Sequence, residues 1–302
     1  MPITLSNTSG TGNFRLTNNN NSGNFSLSTP NLLLDTYSGA SMALSLRKLR
    51  DAYTGACIRV ERSSDSTQQD IGFSGNFLDT DALATFVGAG TGTVVTWYDQ
   101  TTNGYNVSKG SLAAPRITVT GTNQTLNSKI AINFNGTQTL LGGVCPNIMA
   151  SNSGRTFIAF GVGNVTDTNT RLMVFISGAT GHSQAIRRNS TAIEAIAYNS
   201  GTYTDAAGIN PGTSQFIACT QRRSSNIEIS VNNSTNGATN TTGTAAYNNP
   251  IPVIGSFNPN SGPSFAWSGN MQEVIMFAVD PVTNTNYRND ITTAMNLYYT
   301  TY

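Results

Sequence analysis

Charge is the scarcest ingredient of this chain. Only 10% of its 302 residues are Asp, Glu, Lys or Arg, against roughly 25% in ordinary globular proteins. The 16 basic and 15 acidic residues nearly cancel, leaving +1, and they are scattered singly. There is no basic block and no aromatic–basic stripe. Nucleic acid is therefore excluded as a partner, because neutralising a phosphate backbone takes clustered cations. The pairs Arg187–Arg188 and Arg222–Arg223 read as turn or edge-strand charges that discourage strand-to-strand aggregation.

Histidine and cysteine are nearly as rare. His182 is the only histidine, which argues against a histidine-based zinc site and against a Ser-His-Asp triad. Cys57, Cys145 and Cys219 form no close pair and no metal-type spacing, and an odd count does not suit a disulfide framework. Cys57 and Cys219 sit inside apolar strand-like runs, where a thiol behaves as a small hydrophobe. Asp65 and Asp70 in "SSDSTQQD" lack the further ligand spacing of a calcium loop and read as a capped polar turn. No cofactor and no metal is expected. Long apolar runs are missing too: no window approaches 18 apolar residues, so no membrane insertion is expected. "MPITLSNTSG" has neither the basic nor the apolar region of a secretory signal.

Asn, Thr, Ser and 29 glycines take the place of charge. These are poor helix formers and good turn and strand-edge residues. The chain opens with two copies of Gly-Asn-Phe-x-Leu, Gly12–Leu16 and Gly23–Leu27, on an Asn-rich string. Each copy places Phe and Leu on one strand face, and a strand this short needs a sheet edge or a partner chain. Residues 1–31 are therefore read as an extended arm. Phe14, Leu16, Phe25 and Leu27 are the candidates for docking on another subunit or exchanging strands. The alternative is that the two units pair with each other or fold back on the main domain.

Beyond the arm, "SMALSLRKLRDAYTG" predicts a short helix from Ser41 to Gly55, and "DTDALATFVGAG" a second, capped by Asp79 or Asp81 and ended by Gly88. "ACIRVER" and "TVVTWYDQ" read as strands. From about residue 115 the pattern is nearly all β, with short alternating apolar runs separated by Gly, Asn and Pro. "NTNYRNDITTAMNLYY" predicts a closing helix whose Tyr287, Ile291, Ala294 or Met295, and Tyr298 share one face. Many antiparallel strands with few helices make an all-β, two-sheet jelly roll, and no composition break divides residues 32–302.

The order "ALSLRKLRDAYTGACIRVERSSDSTQQDIGF", "DTDALATFVG", "VVTWYDQTTNGYNVSKG" across residues 40–140 resembles the catalytic domain of the fungal arabinofuranosidase B family. It is similar as well to bacteriophage structural proteins that carry the same module. "SQFIACTQRRSSNIEISVN", "PVIGSF" and "WSGNMQEVIMF" extend the resemblance. It implies a concanavalin A-like jelly-roll β-sandwich, here with a few short helices and an extended N-terminal arm. The family's chemistry does not carry over with it. Its nucleophilic Glu lies in an Asp-Met-Glu-Asn stretch; here that region is "AIEAIAYNSG", with Ala197 or Tyr198 at the place and Glu194 off register. Its acid/base Asp lies in a Gly-Gly-Asp-Asn loop; here "IGSFNPNSG" puts Asn258 or Pro259 there. The family's pair of adjacent cysteines is absent. Retaining glycosidases need two carboxyl groups flanking the bond, so no catalytic residue is assigned and no hydrolase activity is expected.

In "WYDQ", Trp97 or Tyr98 could stack on a sugar while Asp99 and Gln100 bond its hydroxyls; Trp267 and Tyr203 are further aromatic candidates. The competing reading places Asp99 in the turn "DQTTNG", accepting backbone N–H groups, and turn chemistry alone accounts for these residue choices. The expectation is a non-enzymatic bacteriophage virion protein, a head decoration, fibre or tail-associated component assembled in the host cytoplasm. Its expected partners are other virion proteins, further copies of itself and host-surface polysaccharide. A lectin-like carbohydrate-binding module and an arabinofuranosidase-type glycosidase are the alternatives.

Overall fold

The computed structural model describes residues 15–18, 25–28, 32–146, 148, 157–165, 171–177, 182–199, 202–206, 208–211, 215–222, 226–240, 250–256, 265–278 and 287–302. In chain order these form β1 (Arg15–Asn18), β2 (Phe25–Ser28), helix α1 (Leu33–Thr36), β3 (Ala40–Ser45), β4 (Ile58–Arg62), β5 (Gln68–Ile71), β6 (Phe73–Ser74) and β7 (Phe77–Leu78). Helix α2 (Thr80–Val87) leads to β8 (Gly92–Trp97), β9 (Val107–Lys109), β10 (Arg116–Val119), β11 (Thr122–Asn123), β12 (Thr125–Leu126), β13 (Lys129–Ile130), β14 (Ile132–Asn135) and β15 (Leu140–Gly142). Then come β16 (Phe157–Gly163), β17 (Arg171–Ser177), β18 (His182–Asn189), β19 (Ala192–Asn199) and β20 (Thr202–Asp205). The last strands are β21 (Phe216–Arg222), β22 (Asn226–Val231), β23 (Ser234–Asn240), β24 (Ile251–Ile254) and β25 (Ser268–Phe277), and helix α3 (Tyr287–Tyr299) closes the fold.

The strands pair antiparallel into two layers. The first runs β5–β4–β8–β9–β15–β24–β17–β18–β19–β20. The second runs β3–β25–β16–β21–β22–β23. Strand β10 pairs with β8 of the first layer and with β14, which in turn pairs with β25, so the layers join along one side. The main core lies between them: Ile58, Val60, Val94, Trp97, Val174, Ile186 and Ile193 meet Met42, Leu44, Phe216, Ile229, Val274 and Met276. This is the expected jelly-roll sandwich.

The second layer is covered on its other face as well. Ala43, Phe160, Val162, Ile217, Cys219, Ile275 and Phe277 pack there under Leu33, Leu34, Ile291, Met295 and Tyr299 of the two helices. Burial on both faces explains why "EVIMF" in β25 is apolar at nearly every position rather than alternating. On α3 the buried stripe is Ile291, Met295 and Tyr299, at i, i+4, i+8; Ala294 and Tyr298 are only partly buried. The stripe thus ends one residue later than the predicted face. Helix α2 matches its prediction: the Asp79 side chain accepts from Ala82 N, and Gly88 ends the helix at φ +59, where a glycine is at ease.

Two expectations are corrected. Residues 41–55 do not make a helix, because Ala40–Ser45 form β3 against β25. As a strand between two cores this segment buries every side chain from Ser41 to Leu46. A helix would bury only the stripe of Ala43, Leu46, Leu49 and Tyr53, so tertiary burial overrides the helical period. The Arg187–Arg188 pair is not on an edge either. Strand β18 lies between β17 and β19, and Arg222 ends β21 between β16 and β22. Strand β18 was hidden in the sequence because its inward positions include Gln184 and Arg188, both buried.

In the arm, Phe14 lies outside the described residues. Strands β1 and β2, with Leu16 opposite Leu27 and Asn18 opposite Phe25, pair with each other in a two-stranded sheet of their own. All three cysteines are free and buried. Among the described residues no helix is long and apolar enough to cross a membrane.

Candidate functional site

Among the described residues, helices α1 and α3 pack on the second layer and no helix residue joins the cluster on the outer face of the first. The registers define a single row across all ten strands: Asp70, Arg59, Thr96, Ser108, Leu141, Val253, Phe175, Ala185, Ile196, Asp205. Its middle is apolar, with Val253, Ala185 and Ile196 buried in a small cluster against Leu141. Its two ends carry arginine–carboxylate groups.

At the first end, Arg59 Nε and Nη2 donate to Asp70 Oδ1 and Oδ2 at 2.7 and 2.8 Å, and Tyr98 Oη donates to Asp70 Oδ1 at 2.8 Å. The bidentate Arg59 bond and then the Tyr98 hydroxyl hold the Asp70 carboxyl below its ordinary range. Burial and then the bond to Asp70 push the Tyr98 phenol up to about 12. Asp65 is engaged separately, by Arg62 and by Thr67 N. Asp65 and Asp70 thus each neutralise an arginine. Among the described residues no group of three His, Cys, Asp or Glu is placed to hold a metal.

The "WYDQ" motif splits between surface and core. Trp97 is fully buried in the main core, and so is Trp267. Asp99 is buried and fully engaged: Oδ1 accepts from Ala43 N (2.8 Å) and Thr101 N (2.9 Å), and Oδ2 from Thr101 Oγ1 (2.7 Å) and Tyr105 N (2.8 Å). Gln100, also buried, accepts from Leu49 N and donates to Ser45 O and Arg47 O. These two side chains therefore replace the hydrogen bonds that a helix over residues 43–49 would have supplied. Trp97, Asp99 and Gln100 are corrected as glycan contacts: a sugar cannot reach them while the turn is closed. Tyr98 alone of the four is partly exposed. Tyr203 lies on β20.

At the other end of the row, Arg187 Nη2 donates to Glu194 Oε2 (2.6 Å) and to Asp205 Oδ2 (3.0 Å), and Arg187 Nε adds 3.0 Å to the same Glu194 oxygen. Asn189 Nδ2 donates to Glu194 Oε1 at 3.3 Å. Both carboxylates sit on neighbouring strands, side by side, sharing one donor. They do not face each other across a gap, as groups flanking a glycosidic bond do. Both Glu194 oxygens accept hydrogen bonds, Oε2 two from Arg187 and Oε1 one from Asn189. Ala197 is buried in the main core and faces away from this surface; Asn258 and Pro259 lie outside the described residues. Glu273 is enclosed beneath α3 in the other layer. Arg187 is the residue that sequence reasoning missed here. The signal was available: in a hairpin with Ser190 and Thr191 at its turn, Arg187 falls opposite Glu194.

The alpha-L-arabinofuranosidase B catalytic-domain family model matches residues 37–142. That segment contains the "WYDQ" turn and the Arg59–Asp70 pair, and it ends before Glu194 and Asp205. No curated protein sequence matches the chain. Among solved structures, an arabinofuranosidase complexed with arabinofuranosyl-alpha-1,2-xylobiose is similar at 14% identity and a TM-score of 0.62, covering 86% of this chain and 64% of that one. A GH54 a-l-arabinofuranosidase soaked with a cyclic sulfate inhibitor is similar at 14% identity and a TM-score of 0.61, with 87% and 64% covered. A mutant of a GH54 a-l-arabinofuranosidase soaked with 4-nitrophenyl a-l-arabinofuranoside is similar at 17% identity and a TM-score of 0.60, again with 87% and 64% covered. The chain therefore spans 64% of the length of these structures. At such identities the likeness is one of fold: a concanavalin A-like sandwich.

Proposed function

We propose that this chain is a non-hydrolytic, carbohydrate-binding sandwich carried on a bacteriophage virion. There it is tethered by residues 1–31 to other virion proteins or to further copies of itself, after assembly in the host cytoplasm. The observation that carries the non-hydrolytic reading is the clamp on Glu194 and Asp205. The acidic pair on the outer face of the first layer is held by Arg187, not set apart around a substrate. Tyr98, with Asp70 and Arg59 beside it, supplies an aromatic and polar group at the opposite end of that face. Repeated copies on a particle would turn weak contacts with host polysaccharide into firm attachment. The β1–β2 pairing is the self-paired alternative for the arm; the tether adds that this lone two-stranded sheet, marginal in water, gains by joining another sheet.

The reading is tested on particles and on glycans. Removal of residues 1–31 is expected to abolish incorporation into particles, scored by mass spectrometry of the purified virion. The intact chain, displayed multivalently on a glycan array, is expected to bind. Unchanged incorporation would refute the tether, and an array without binding would refute the carbohydrate role. The family match over residues 37–142 favours a second reading, an arabinofuranosidase-type glycosidase in which Arg187 releases Glu194 and Asp205 on substrate binding.

A further inference from the structure

A second surface lies on the far side of the sandwich, at the rim of the second layer, where three elements converge. The β6–β7 hairpin supplies Phe77, the last turn of α3 supplies Leu297 and Tyr298, and the β12–β13 hairpin supplies Lys129. Phe77 is 38% exposed and Leu297 71% exposed; Val144, Phe265 and Tyr302 are the other exposed large apolar groups among the described residues. The Phe77 and Tyr298 rings stack with an interplanar angle of 17° and a centroid separation of 5.9 Å. Two cations attend Tyr298: Arg47 at 4.5 Å and Lys129 at 5.2 Å from the ring centroid.

The two cations differ. Arg47 is neutralised by Glu273, so its task is to hold the Tyr298 ring in place. Lys129 has no carboxylate partner among the described residues, and neither has Lys48, whose backbone N–H donates to Asn76 O beside Phe77. In so sparsely charged a protein, unpaired ammonium groups beside a partly exposed aromatic pair make a distinct chemical patch. A ring with an apolar face and a carboxylate on its edge matches both features at once. The apolar face covers the aromatic pair, and the carboxylate takes the ammonium.

We propose that the Phe77–Tyr298 pair with Lys129 is a binding surface for an acidic sugar, a uronate residue of an anionic polysaccharide. It is separate from the first-layer face, so it stands whether or not that face binds neutral glycan. The test is affinity electrophoresis in gels containing polygalacturonate, its methyl ester, or neutral arabinan. The wild type is expected to be retarded by polygalacturonate, and about fivefold less by the ester. Phe77→Ala and Lys129→Gln are each expected to weaken the interaction about fivefold or more, with thermal melting confirming that both fold. Lys129→Gln alters only a surface group and keeps the test decisive if Phe77→Ala misfolds. Equal retardation of wild type and Lys129→Gln would overturn the proposal, as would equal retardation by acid and ester. Binding to arabinan but not to polygalacturonate would overturn this surface and leave the first-layer reading intact; binding to neither would overturn this surface, and the glycan array decides the first-layer reading.

Discussion

Asp99→Ala is expected to destabilise the fold by about 3–5 kcal/mol. The Asp99 carboxylate accepts four hydrogen bonds at 2.7–2.9 Å, three of them from the backbone N–H groups of Ala43, Thr101 and Tyr105. Alanine removes the acceptor and leaves the donors. Each donor left unsatisfied in a buried site costs about 1–3 kcal/mol, and Ala43, inside β3, is out of reach of water. Asp99→Asn should fall between, since one carbonyl oxygen remains while an NH2 group is pressed against N–H donors. Urea unfolding followed by circular dichroism measures both. A loss under about 1 kcal/mol for the alanine variant would show that the turn is not held by this carboxylate.

Glu273→Ala is expected to cost a similar amount, about 3–5 kcal/mol, by a different route. Glu273 is fully buried and accepts from Arg47 Nε (2.8 Å) and Nη2 (3.0 Å), Ser45 Oγ (2.7 Å) and Tyr299 Oη (3.0 Å). This one side chain joins β25 to β3 and to α3. Burial and then the Glu273 charge push the Tyr299 phenol well above its ordinary range, so it remains a donor. Removing Glu273 strands the Arg47 guanidinium, whose side chain is only 12% exposed. Replacing both with methionine should recover most of the loss, because a buried ion pair is often no better than apolar residues of like size. A double-mutant cycle that finds a coupling below about 1 kcal/mol would contradict the assignment.

These two networks mark the limit of what was legible in the sequence. Strands such as "ACIRVER" and "TVVTWYDQ" were readable because β-branched runs between turn residues have few other solutions. Helix α2 was readable because Asp79 and Gly88 announce its ends. Residues 41–55 were not, since the apolar spacing there fits a helix, and the decisive partners, Asp99 and β25, lie far away in the chain. Strand β18 escaped notice because its buried Gln184 and Arg188 break the apolar alternation. At the site, the turn role of Asp99 followed from local chemistry, whereas the Arg187 clamp depends on a pairing register that residue types alone do not set. The two tryptophan candidates, Trp97 and Trp267, failed for a simple reason. Trp97 has the composition of a sugar platform, but burial decides its use, and the main core claims it.

The most direct test of the account is hydrolysis of 4-nitrophenyl α-L-arabinofuranoside by the intact chain, followed by nitrophenolate absorbance. With Glu194 and Asp205 held by Arg187, release is expected to equal that of buffer, and Glu194→Gln and Arg187→Ala should leave it there. Turnover by the wild type that disappears in Glu194→Gln would contradict the account and establish the carboxylates on this face as a working catalytic pair.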